Sequence, residues 1–125
     1  MRKAGFNHGF SDAAWEAGKR EARQIMYAVA KKQGLIPYSE LVAQIGSISL
    51  DAHDSRLDHF LGEIASEDDV AGIGLTTVVV VHKTGDQMPG PGFFDMAEEQ
   101  GRDTSAPVEC WMTELKAVDD YWSHR

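Results

Sequence analysis

The reading of this chain turns on Leu75-Thr76-Thr77-Val78-Val79-Val80-Val81-His82 and on the segment Lys83-Thr84-Gly85-Asp86-Gln87-Met88-Pro89-Gly90-Pro91-Gly92 that follows it. Thr76, Thr77, Val78, Val79 and Val80 are β-branched in succession, and Val81 continues them. A branched Cβ restricts χ1 and packs well on a pleated surface, so the run favours extended backbone. Its near-continuous apolar character predicts a strand covered on both faces. The glycines and prolines after it predict a tight loop, from which Phe93-Phe94 is expected to return as a short paired strand.

Toward the N-terminus, residues 1–10 read as a lead-in containing Gly5, Asn7 and Gly9. Ser11 or Asp12 is an N-cap for a long helix reaching about Gln33. Ala22, Ile25, Met26 and Val29 follow its 3.6-residue period, with Trp15 one end of the apolar set. Lys31 and Lys32 suit the negative end of the helix dipole, and Gly34 is expected to take the left-handed conformation that stops it. Leu35-Ile36-Pro37 is a short extended connection, since Pro37 disfavours helix at Ile36. A short helix is expected over residues 38–45. A third helix, residues 51–66, has an inward face of His53, Leu57, Phe60, Leu61 and Ile64, and Glu67-Asp68-Asp69 closes it as an exposed acidic turn. Toward the C-terminus, a turn or two of helix is expected over residues 95–100, then Gly101. A last helix over residues 107–123 has Pro107 in its first turn and an apolar stripe of Val108, Trp111, Met112, Leu115, Val118 and Trp122.

The 125 residues are 42% hydrophobic and 26% charged, which predicts one domain with a core and argues against wholesale disorder. Within it, residues 1–10 are the lead-in, 11–95 the main body and 96–125 a C-terminal helical extension. The apolar runs fall far short of the roughly 20 residues of a membrane helix. The start of the chain has basic residues but no apolar stretch after them, so a secretory signal is not expected and the reading is cytoplasmic. One cysteine, Cys110, allows no internal disulfide and no cysteine-rich zinc site. The net charge is -8, but it is uneven. Residues 1–33 hold seven basic and three acidic side chains, whereas residues 34–72 hold Arg56 against eight acids. An acidic chain is a poor match for nucleic acid. The basic first segment either compensates locally or pairs with the acidic remainder, in the same molecule or in a partner subunit.

The order helix, short extended piece, helix, helix, strand, loop, short strand, helix resembles the winged helix-turn-helix pattern over about residues 12–95, with residues 83–92 as the wing. That resemblance implies an α+β fold: a winged helix-turn-helix core with a long N-terminal helix and an additional C-terminal helix. It also implies a third helix placed for the DNA major groove and a wing for the backbone or minor groove. Within it, Ile36-Pro37-Tyr38-Ser39-Glu40-Leu41-Val42 and Ile45-Gly46 are similar to the Tyr-Gly-Glu-Leu-Ala stretch in the DNA-binding domain of O6-alkylguanine DNA alkyltransferases and alkyltransferase-like proteins. Ser55 to Gly62 falls where that family has its recognition helix, and Val78 to Lys83 where an apolar strand runs into Pro-Cys-His-Arg. Val81 stands at the nucleophilic cysteine, Val80 at the proline and Lys83 at the arginine; His82 alone is kept. The resemblance therefore implies no alkyl transfer. Tyr38 matches a phosphate-contacting tyrosine, and Arg56 lies one position from an expected arginine. Asp58 and Phe60 depart from the small residues of the family's recognition helix.

The nucleic-acid candidates are Tyr38, Ser39, Ser55, Arg56, His59 and Lys83, hydroxyl and cationic groups at helix starts and the wing. Against this, Ser39 serves as a helix cap and Arg56 pairs with Asp58 or Glu63. No His-Glu-x-x-His pattern relates His8, His53, His59, His82 and His124, so no metal is expected. Cys110 reads as a buried structural thiol, and Gly85, Gly90 and Gly92 as loop formers without a phosphate-loop pattern. No catalytic residue and no cofactor are expected. Trp15, Met26, Trp111 and Trp122 are candidates for a homodimer seam. Two readings remain: a DNA-binding or regulatory module that binds double-stranded DNA, and an acidic protein–protein interaction or oligomerisation module that has lost DNA binding. A single basic stripe of Lys19, Arg20, Arg23, Arg56 and Lys83 would favour the first; an acidic, unpaired outward face over residues 51–66 would favour the second.

Overall fold

The computed structural model describes residues 6–7, 9–52, 54–83 and 88–123. The tip of the expected wing, residues 84–87, lies outside them, as do His8, His53 and His124. The fold mixes helix and strand. Strands β1 (Phe6–Asn7) and β2 (Phe10–Ser11) form a small antiparallel hairpin. Helix α1 (Asp12–Lys31) follows, capped by Ser11, whose Oγ accepts the Ala14 amide at 3.1 Å.

Helix α1 carries two columns at four-residue spacing, which lie side by side on a helix surface. Gly18, Ala22, Met26 and Ala30 are buried and small or flexible. At Gly18 a Cβ would come 3.1 Å from the Ile48 side chain, so a larger residue there requires Ile48 to shift by a few tenths of an ångström. The second column, Trp15, Lys19, Arg23 and Tyr27, is polar at its tips and meets helix α3 (Ser55–Val70). The Trp15 indole N–H and the Lys19 ammonium both donate to Glu63, at 3.1 and 3.2 Å. Lys19 also reaches Glu67 at 2.9 Å and Glu16 at 3.0 Å. Arg23 donates to Glu67 at 2.6 Å and to Asp68 at 3.1 Å, and the Tyr27 hydroxyl donates to Asp68 at 2.9 Å.

This ladder corrects the expected exposed acidic turn. Glu67, Asp68 and Asp69 continue α3, and Asp68 is 4% exposed because it receives Arg23, Tyr27 and the Thr76 hydroxyl together. It also settles where much of the basic segment's charge goes: Lys19 and Arg23 pair within the molecule. Burial alone would lower the Lys19 ammonium, but its bonds to Glu67, Glu16 and Glu63 outweigh that and hold it above its ordinary value. Burial likewise favours a neutral Glu67, and the bonds from Arg23 and Lys19 outweigh it and hold the carboxyl below its ordinary value.

Helix α1 ends one step earlier than expected. Gln33, with φ 55°, takes the left-handed position in place of Gly34. The Gln33 amide donates to Ala30 and the Gly34 amide to Val29, a Schellman closure whose left-handed residue falls on Gln33 because Lys31 is the last helical residue. Strand β3 (Ile36–Pro37) and helix α2 (Tyr38–Ala43) come next.

The β-branched segment differs most from expectation. Thr76–Val79 wind into a 3-10 turn, and only β4 (Val80–Val81) is extended, pairing in parallel with β3 so that Ile36 faces Val80 and Pro37 faces Val81. The turn stands at the centre of the molecule against α1, α3 and helix α5 (Pro107–Ser123). Among the described residues no strand lies beside it there, and a buried extended run would leave its amides unpaired. Curling lets Val78 donate to Leu75 at 3.0 Å, while the Trp111 indole donates to the Val78 carbonyl at 3.0 Å. Phe93 and Phe94 do not return as a strand. They belong to helix α4 (Pro91–Glu99), where Pro91 presets the first turn and Phe93, Met96 and Ala97 are buried at helical spacing. Among the described residues no helix is long and apolar enough to cross a membrane.

Asp68→Ala, which leaves the Tyr27 and Thr76 hydroxyls without their acceptor and Arg23 with Glu67 alone, is expected to lower unfolding free energy by about 3 kcal/mol in urea titration. Gln33→Gly, relieving a left-handed side chain, is expected to raise it by about 1 kcal/mol in the same measurement. The Glu67 contribution is present above the ordinary glutamate value and lost as pH falls through its lowered one, so thermal stability declines below about pH 4.5. The Lys19 contribution is lost on the opposite side, as pH rises beyond about 10.5.

Candidate functional site

The six sequence-predicted contact residues do not form one surface of like purpose. Tyr38 opens α2 half-buried, its ring 5.4 Å from that of His82, and its hydroxyl accepts the Gly90 amide at 2.8 Å. The chain from Gly90 to Gly92 is pressed onto this corner. A Cβ at Gly90 would lie 3.4 Å from His82, and one at Gly92 would lie 2.6 Å from an Asp58 oxygen. The cavity left among Tyr38, Asp58, Thr77 and Gly92 is about 10 Å³, space for about one water. Burial pushes the Tyr38 phenol up, the Asp58 charge adds to this, and the Gly90 bond opposes it. Tyr38 is thus a strut that seats the start of α4 rather than a hydroxyl standing free at the surface.

Arg56 also turns inward along the chain. Its guanidinium bonds Asp54, the N-cap of α3, at 2.7 to 3.1 Å, and stacks 4.8 Å over the Phe10 ring. The expected partners were Asp58 or Glu63. Asp54 wins because its carboxylate already accepts the Arg56 amide at 2.9 Å, so the side chain needs only to fold back. That bonding holds Asp54 below and Arg56 above their ordinary ranges. Ser39 is exposed within the first turn of α2 and caps nothing; the capping position belongs to Pro37. Ser55 and His59 are exposed on α3, and Lys83 is exposed after β4.

Two of the seam candidates are corrected. Trp15 and Met26 are both 0% exposed in the core, with no surface to offer a second copy. Trp111 and Trp122 are half-buried against that core. The large apolar side chains of α5 that are exposed are instead Val108 and Met112. Cys110 is buried, and burial first, then Glu114, push its thiol up, which suits a structural residue. Among the described residues no group of three or more metal-binding side chains is gathered.

The structure does bring together a face that the sequence reading saw only in part. Ser55, Asp58, His59, Glu63 and Glu67 of α3 line one wall of a groove of about 620 Å³, and Asp95 and Glu99 of α4 line the other. Glu63 and Glu67 are one turn apart, as are Asp95 and Glu99, so two acidic columns face one groove. The signal for the second column was the i, i+4 repeat of acids in residues 95–99. Both acids fall within the helix expected over residues 95–100, and their pairing with the α3 column follows only from the packing of α4 against α3. Lys19 lies behind α3's column and partly neutralises it. A single basic stripe is not formed, since Lys19 is 1% exposed and Arg23 and Arg56 are engaged with Asp68 and Asp54.

No family model, curated protein or solved structure matches this chain.

Tyr38→Phe leaves the Gly90 amide without its acceptor and is expected to cost about 1 kcal/mol of stability by denaturant titration. Native Cys110 is expected to react with an aromatic disulfide reagent far more slowly than the unfolded chain, followed by absorbance.

Proposed function

We propose that the chain is a non-catalytic module that binds another protein, and that it presents the acidic face of α3 and α4 to a basic segment of its partner. The observation that carries this reading is the internal use of the cations. Lys19 and Arg23, two of the α1 cations that a basic stripe for a phosphate backbone would need, are bonded to α3's own acids. The outer face keeps Asp58, Asp95 and Glu99, and among the described residues no lysine or arginine lines the groove. Nucleic-acid affinity rises with the number of cations brought to phosphates, and this face brings carboxylates. Like charges one helical turn apart cost a helix a few tenths of a kcal/mol, so the Asp95/Glu99 pair of α4 is a cost that binding a cationic partner offsets, while Glu63 and Glu67 are met by Lys19 and Arg23.

A winged-helix relationship is supported by the order helix, short strand, helix, helix and by the pairing of Ile36–Pro37 with Val80–Val81, and is weakened by Phe93-Phe94, which lie in α4 where a returning wing strand is expected. The non-catalytic reading is supported by Val81 at the position where the alkyltransferase pattern has its nucleophile, and by the burial of the Cys110 thiol, which pushes it above its ordinary value. The DNA-binding reading retains Ser39, Ser55, His59 and Lys83 as exposed groups. These are few and, on α3, set among acids.

The test is fluorescence anisotropy with two labelled probes at low and moderate salt: an oligo-arginine peptide and a short DNA duplex. The peptide is expected to bind, to weaken with salt, and to lose about tenfold in affinity in the Asp95→Asn/Glu99→Gln variant, since two exposed pairs together are worth up to about 1.4 kcal/mol. The duplex is expected not to bind. Duplex binding at low salt that is lost in Arg56→Ala and Lys83→Ala would overturn the proposal in favour of the DNA module.

A further inference from the structure

We draw no further inference here: the strongest candidate, the acidic groove between α3 and α4, belongs to the face already assigned to a partner, and nothing beyond its carboxylates points to a more particular ligand.

Discussion

The ladder between α1 and α3 is the contact on which the remaining arrangement depends. Trp15, Lys19, Arg23 and Tyr27 recur every four residues, and Glu63, Glu67 and Asp68 answer them. Sliding α1 by a turn would break the Trp15, Lys19, Arg23 and Tyr27 bonds to Glu63, Glu67 and Asp68 together, leaving Lys19 only Glu16 of its own helix from its present set. Apolar packing supplies the attraction between the two helices, through Met26, Phe60 and Ile64. The ion pairs decide the register in which that attraction acts. Asp68 extends the constraint to the centre of the molecule, because the same carboxylate receives the Thr76 hydroxyl at 2.6 Å and so ties the valine-rich segment to both helices.

The expectations that held rest on patterns confined to one helix. Ser11 as N-cap, the inward positions 22, 26, 57, 60, 61 and 64, and the limits of α5 follow from spacing and capping, which depend on neighbours a few residues away. Those that failed needed knowledge of what lies across space. Nothing local distinguishes a β-branched run that pairs with strands from one that stands alone among helices; for Thr76–Val79 the absence of neighbouring strands outweighed propensity. Glu67, Asp68 and Asp69 look like a solvated helix end until Arg23 and Tyr27 are placed opposite them. Phe93 and Phe94 looked like a return strand because residues 83–92 suggested a hairpin, whereas Pro91 begins a helix.

The candidate face was legible to a similar extent. The acids of residues 51–66 were apparent, and their sign argued against DNA from the outset. Their counterparts at 95 and 99 gain meaning only once α4 lies along α3. Tyr38 shows the limit from the other direction. A tyrosine at a helix start suggests a phosphate contact, but the Gly90 amide occupies its oxygen, and that pairing joins segments distant in the chain. Trp15 and Met26 were misplaced for a related reason: apolar side chains at helical spacing look alike whether they meet the same chain or another.

The short parallel pair of β3 and β4 bears on how the molecule reaches this state. It joins the segment before α2 to the segment after α3, so both helices lie within the loop that it closes. Closing a long loop for only two residues of pairing returns little for the entropy lost. The helices themselves need only local closure and set quickly. The α1–α3 ladder joins residues 41 to 48 apart, so once those helices are docked the loop between β3 and β4 is already largely closed and their pairing adds little further entropic cost.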